Sequence, residues 1–403
     1  MFVRSIRALV ITIVVVLVII AIPVVQLVRP VPVPTVTLAS TISNSRVPGA
    51  APTFQWPKQG QAAISAVGIG SFGQSGSQAS VPIASVTKVM TAYLVLKKHP
   101  LALGQQGPSI TVTPADVDIY KQDLAKSESV VKVQAGEKLT EREALEGLLL
   151  PSGNNIGSLL AKWCDGSEAN FVQEMNATAK QMGLTHTHYA DATGYSPESR
   201  SDAVDQVKLF SRAMENATFR SVVAEAQAYL PVAGLVYNVN SKIGHGTIIG
   251  GKTGSTSEAG GCFVFAAQKV VGTKTVLIVG AVLGQMGLQE LDTALNDGVV
   301  LAKDAQAALR PVQVLRAGDT VGTLNAPWTN QLTLSTNQGV TMVGWPGLEI
   351  RETFQPAKLG STIAAGSTVG TLNVQVGQQT QKLPVRTSQA LPAPSLTWRL
   401  KRL

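Results

Sequence analysis

Three short clusters of reactive side chains stand in order along the chain: Ser85-Val86-Thr87-Lys88, then Ser152-Gly153-Asn154, then Lys252-Thr253-Gly254-Ser255. A serine hydroxyl attacks a carbonyl efficiently only when a base takes its proton, and Lys88 lies three residues on, one helical turn away on the same face. To serve as that base the amine must be neutral, whereas a free lysine titrates at about 10.4. Working around neutral pH demands a depression of about three units, on the order of 4 kcal/mol. Burial would supply part of this, and the positive charge of Lys252 would disfavour the ammonium further. Ser152 could pass a proton to a leaving amine, Asn154 could hold the Lys88 amine and a substrate backbone, and Thr253 could bind a substrate carboxylate. The backbone N–H groups of Ser85 and Ser255 are candidates for an oxyanion hole, worth about 3 to 4 kcal/mol per donor.

Each cluster alone recurs by chance, so their placement on secondary structure matters. Ser85 opens an apolar helical pattern that runs to about Leu96, where unsatisfied backbone N–H groups favour developing negative charge. Residues from Glu137 to Trp163 read as two helices joined by a short loop at Pro151-Ser152-Gly153. The third cluster ends a strand expected over 247–254. Further helices are expected at 168–182, 202–215 and 288–309, and further strands at 61–69, Cys262–Ala267 and Thr275–Leu283. An early strand, many helices and consecutive late strands predict an α+β domain with helices packed on an antiparallel sheet.

Around this domain the composition changes. Residues 8–28, ALVITIVVVLVIIAIPVVQLV, carry no charge and as a helix reach roughly 30 Å, a bilayer's hydrocarbon thickness. Arg4 and Arg7 before it favour a cytoplasmic N-terminus, which puts the remainder outside. A cleaved signal peptide, ending near Thr37-Leu38-Ala39, is the competing reading, and both export the protein. Residues 30–60 then read as an extended linker rich in Pro, Ser and Thr. From Pro311 the chain is rich in Gly, Thr, Val and Gln, and AGDTVGTLN at 317–325 recurs as AGSTVGTLN at 365–373. Two copies predict equivalent hairpins of a small β-sandwich or barrel. The expected organisation is therefore 1–29 cytoplasmic stub and membrane anchor, 30–60 linker, 61–310 catalytic domain, and 311–403 β-domain with a basic tail.

The three clusters, in this order and on these elements, are similar to the signature of penicillin-recognising serine enzymes. Over about residues 61–390 the chain resembles the D-alanyl-D-alanine carboxypeptidases of low-molecular-weight penicillin-binding proteins. Pro82-Ile83-Ala84-Ser85-Val86-Thr87-Lys88-Val89-Met90-Thr91 looks like that family's nucleophile motif, and Pro151-Ser152-Gly153-Asn154-Asn155 like its second. Gly251-Lys252-Thr253-Gly254-Ser255-Thr256 with Ala259-Gly260 looks like the third, and Met182 to Thr185 through Asp191-Ala192-Thr193-Gly194 like its post-helix loop. The resemblance implies a β-lactamase/transpeptidase-like catalytic domain and an acyl-enzyme on Ser85 that releases D-alanine from peptidoglycan stem peptides. It further implies Lys88 and Ser152 as catalytic partners, Asn154, Lys252, Thr253, Gly254 and Ser255 as substrate-binding residues, β-lactams as inhibitors, and a C-terminal β-domain. No cofactor or metal is implied. Two departures stand out: the tether lies at the N-terminus, and no arginine occurs between Ser255 and Leu309, where the family places one beside the third motif.

Residues 246–253, GTIIGGKT, match a phosphate-loop pattern, but no helix is expected to follow, so no nucleotide is expected. The formal charge of +8 comes without a basic cluster interleaved with aromatics, which argues against nucleic acid and suits an anionic wall and membrane. His186 and His188, with Asp191 nearby, lack the further ligands of a zinc site. Cys164 and Cys262 read as small buried hydrophobes rather than a bridge. A β-lactamase or D,D-endopeptidase on the same fold, and a silent wall-binding protein, remain as alternatives to the carboxypeptidase.

Overall fold

The strands expected near 61–69, 247–254, 262–267 and 275–283 join one antiparallel sheet in the computed structural model, which describes residues 2–39 and 44–402. Its order is Ile248–Thr256, Gly260–Val271, Lys274–Gln285, Gln61–Ala66 and Gly70–Ser75. Consecutive residues from Cys262 to Ala267 are all buried, so both faces of the sheet are covered. Helices Glu290–Ala308 and Ala203–Ala213 pack on it. The remaining helices of this unit, which spans Ala50–Arg310, enclose a core through Leu94, Leu145, Leu148, Leu160, Phe171 and Phe210.

Capping chemistry sets several helix starts. Thr140 accepts from the Glu143 backbone N–H while Glu143 accepts from that of Thr140, so the helix begins at Glu141. The residues before it, expected to be helical from Glu137, instead form strand Lys138–Thr140 against Ser109–Thr111. Helix Pro114–Ala125 was not expected, because its apolar pattern is weak. A Thr113/Asp116 capping box with proline at the first helical position starts it.

The second unit joins Met1–Gly49 to Pro311–Leu403. Its sheet runs Thr35–Leu38, Thr320–Asn325, Leu332–Ser335, Gln379–Thr387, Thr368–Val376, Glu349–Pro356, Ser45–Arg46. The two copies of the repeat supply Thr320–Asn325 and Thr368–Val376, which stand in equivalent places on either side of the pair Leu332–Ser335 and Gln379–Thr387. Both carry the same register shift, at Thr320/Gly322 and at Thr368/Gly370. Residues 30–60, expected to be linker throughout, contribute two edge strands to this sheet. Beyond Pro34 the stretch Thr-Val-Thr-Leu has free N–H groups and β-branched side chains, and it pairs with Thr320–Asn325. Residues 40–43 of the expected linker lie outside the described residues.

Residues Ser5–Val28 form a helix long and apolar enough to cross a membrane, and its most apolar stretch is not covered by protein. The C-terminal tail is a short helix, Leu396–Lys401. Arg399 and Arg402 near its end donate to the carbonyls of Gln26, Leu27, Arg29 and Pro30, satisfying acceptors that the apolar helix leaves open at its C-terminus.

Candidate active site

Ser85 does not begin an α-helix directly. It sits in a 3-10 turn, Ala84–Thr87, that runs into helix Lys88–Lys98, and Ala84 is held at φ +45°. A non-glycine residue in that region is strained, and the neighbouring glycines show what holds it there. A Cβ on Gly254 would lie 2.7 Å from the Ser85 nitrogen, and one on Gly194 would lie 1.8 Å from the Ala84 oxygen. The turn that carries Ser85 is thus wedged between the strand Ile248–Thr256 and the loop after His188.

Lys88 is wholly buried. Its Nζ lies 2.7 Å from Ser85 Oγ, 2.5 Å from Asn154 Oδ1 and 3.0 Å from the Thr193 carbonyl. Burial pushes its pKa down to about 7, against the opposing pull of the Asp191, Glu128 and Asp123 carboxylates. The depression was expected to come partly from Lys252. Desolvation is the larger cause, and the repulsion between the two amines, which is mutual, joins burial in holding Lys252 well below its ordinary value.

Lys252 Nζ reaches Ser152 Oγ at 3.0 Å and the Thr253 carbonyl at 2.8 Å. Ser152 stands at φ +67° in the break between helices Glu141–Leu149 and Asn154–Asp165. Two hydroxyl–lysine pairs therefore meet at one place, Ser85 with Lys88 and Ser152 with Lys252. In front of them opens a cavity of about 400 Å³, lined by Ser85, Asn154, Tyr195, Ser255 and Glu128 among others, with no arginine in its wall. Thr253 and Ser255 stand two residues apart on one strand, so their side chains leave it on the same side.

The structure thus gathers Ser85, Lys88, Ser152, Asn154, Lys252, Gly254 and Ser255 at one place, while Thr253 follows Lys252 on the strand, is buried and is absent from the cavity wall. It adds groups to which sequence reasoning gave no role. Asp191 accepts from the backbone N–H groups of Gly194, Tyr195 and Ser196 and from the Thr193 and Ser199 hydroxyls. That shapes the loop so that the Thr193 carbonyl faces Lys88. Glu128 accepts from Asn154 Nδ2 at 2.5 Å.

The phosphate-loop pattern runs into strand Ile248–Thr256, and another strand follows, so no helix N-terminus is there to receive a phosphate. His186, Asp202 and Asp205 gather their donor atoms within 4.8 Å of one another. The carboxylates are already engaged: Asp202 caps helix Ala203–Ala213 and contacts His186 at 2.6 Å, and Asp205 accepts from the His186 N–H and the Thr187 hydroxyl. Both cysteines are free, and Cys262 is buried.

Comparison with known proteins agrees with this geometry. A family profile described as D-alanyl-D-alanine carboxypeptidase matches residues 74–285. The D-alanyl-D-alanine carboxypeptidase of Streptomyces sp. (strain K15) is 35% identical over 222 residues, covering 51% of this chain and 72% of that one. The crystal structure of the Streptomyces K15 DD-transpeptidase superposes with a TM-score of 0.55 at 26% identity, over 64% of this chain and 98% of that one. Penicillin binding protein 5 from Haemophilus influenzae, at 18% identity and a TM-score of 0.60, shares the fold over 85% of this chain and 99% of its own. With the profile spanning more than half of its residues, the chain belongs to the D-alanyl-D-alanine carboxypeptidase family of serine peptidases.

Proposed function

We propose that this D-alanyl-D-alanine carboxypeptidase trims peptidoglycan stem peptides through an acyl-enzyme on Ser85, with Lys88 as the base. The observation that carries the reading is the coordination of the Lys88 amine. A neutral amine has two N–H donors and one lone pair. The Asn154 and Thr193 oxygens take the two donors, which leaves the lone pair for the Ser85 hydroxyl. Ser85 Oγ attacks the penultimate carbonyl as its proton passes to Lys88, and the backbone N–H groups of Ser85 and Ser255 receive the oxyanion. Ser152, polarised by Lys252, hands a proton to the departing D-alanine amine. Water then hydrolyses the ester by the reverse route. The terminal carboxylate binds at the Thr253 and Ser255 hydroxyls, where its charge supplies the counter-ion that buried Lys252 lacks.

β-Lactams present a strained amide and a carboxylate to the same groups and inhibit by acylating Ser85. The apolar helix Ser5–Val28 tethers the chain in the cytoplasmic membrane as a single span, with the catalytic unit outside. The test is labelling with a fluorescent penicillin followed by peptide mapping. Label should map to Ser85 and vanish in Ser85→Ala; label that persists in that variant, or maps to Ser152, sinks the mechanism.

A further inference from the structure

Glu128 has no part in the steps above, yet its side chain is only 4% exposed and it shares the cavity wall with Ser85. It follows helix Pro114–Ala125, after Ser127 at φ +59°, and its N–H is bonded to the Asp123 carbonyl at 3.0 Å. The next residue, Ser129, accepts from the Asn154 N–H at 2.8 Å. The backbone on both sides is thus tied down, and the carboxylate meets the Asn154 amide at 2.5 Å.

An asparagine amide is nearly symmetric in shape and can present either oxygen or nitrogen to a neighbour. A carboxylate removes that freedom, because when ionised it can only accept. We propose that Glu128 is a positioning residue for the reaction: it claims the Asn154 nitrogen, turns the Asn154 oxygen onto Lys88, and thereby aims the Lys88 lone pair at Ser85. With the amide reversed, Asn154 would offer a donor to the amine, the lone pair would turn toward it, and Ser85 would lose its base. The inference rests on the acyl-enzyme reading above.

The charge of Glu128 gives the role a second signature. Lys88 is faced by Asp191 on the loop after His188, by Asp123 at the end of helix Pro114–Ala125, by Lys252 on strand Ile248–Thr256, and by Glu128. Removing the negative charge of Glu128 makes the ammonium less favourable, so the acid limb of the activity profile should move to lower pH. Asp123, raised to about 6 by burial and then by the Glu128 charge, becomes easier to ionise and returns part of the field. The movement should therefore be about half a unit, so that at the acid end activity relative to the plateau rises roughly threefold.

The experiment measures acylation of the detergent-solubilised full-length chain by fluorescent penicillin from about pH 5 to 9. Wild type, Ser85→Ala, Glu128→Gln and Glu128→Asp are compared. Glutamine can hold Asn154 in either orientation, so Glu128→Gln should lower the plateau about three- to tenfold and shift the limb toward acid. Glu128→Asp, which keeps the charge, should leave the limb in place and recover most of the plateau. A Glu128→Gln profile that lacks either effect overturns the inference, and if it alone fails while wild type labels Ser85, the acyl-enzyme reading stands. Labelling of wild type that Ser85→Ala does not remove would overturn both.

Discussion

If Lys88 is the base, the rate of acylation must follow its neutral fraction. At the ordinary value of 10.5 only about three lysines in ten thousand would be neutral at neutral pH; at about 7 roughly half are, a gain of about a thousandfold. The shift corresponds to a free energy on the order of 5 kcal/mol, supplied by a site that encloses the amine completely. The same shift works against folding. Below about pH 7 the amine is protonated in both states and its burial cost is fully felt. As the pH rises from about 7 toward 10.5 the unfolded chain keeps a proton that the folded one has lost, so the cost fades and stability at this site increases. Acylation by penicillin, measured as a second-order rate, should fall about tenfold between pH 8 and pH 6. The limb belongs to the Lys88–Lys252 pair rather than to one amine. Lys88→Arg should cost at least a thousandfold, because a guanidinium stays protonated throughout. A flat profile between pH 6 and 8, a limb near pH 10, or an arginine variant within about tenfold of wild type would remove Lys88 from the role.

Three further expectations concern the substrate terminus, the tether and the edge strands. Hydroxyl bonds to an anion contribute roughly 1.5 to 3 kcal/mol each, so Thr253→Val should lower kcat/KM about ten- to a hundredfold for a peptide ending in D-Ala-D-Ala. An amidated peptide should lose far less, and an equal loss on both would give carboxylate recognition to another group. Deleting residues 1–30 should yield a soluble chain acylated within about twofold of the wild-type rate, since strand Thr35–Leu38 remains to cover Thr320–Asn325. Deletion through residue 49 removes both edge strands and leaves the catalytic unit whole, and should lower the melting temperature of the β-unit; equal thermal stability of the two truncates would contradict that account of the edges.

What could be read from the sequence, and what could not, divides along a chemical line. Ser85, Lys88, Ser152, Asn154 and Lys252 were legible because the proposed reaction restricts the side-chain type at each position, and the spacing of Ser85 and Lys88 alone puts them one turn apart. The groups that hold them face no such restriction. Any backbone carbonyl can accept from Lys88, so the choice of Thr193 leaves a trace only in Asp191, which organises the loop, and in Gly194, where a side chain would strike Ala84. Glu128 sits in Lys-Ser-Glu-Ser, which reads as a solvated turn; only folding sets it against an asparagine 26 residues away. The edge strand Thr35–Leu38 was hidden for a similar reason, since the prolines before it describe a linker locally while its partner lies near the far end of the chain. The extent of Lys88 burial was hidden in the same way. A like-charged neighbour is visible as a residue in a motif, whereas burial is a property of everything packed around the amine. In this site the packing dominates: burial outweighs the upward pull of the Asp191, Glu128 and Asp123 carboxylates, and together they leave the enclosed amine in the range that the proposed role as base requires.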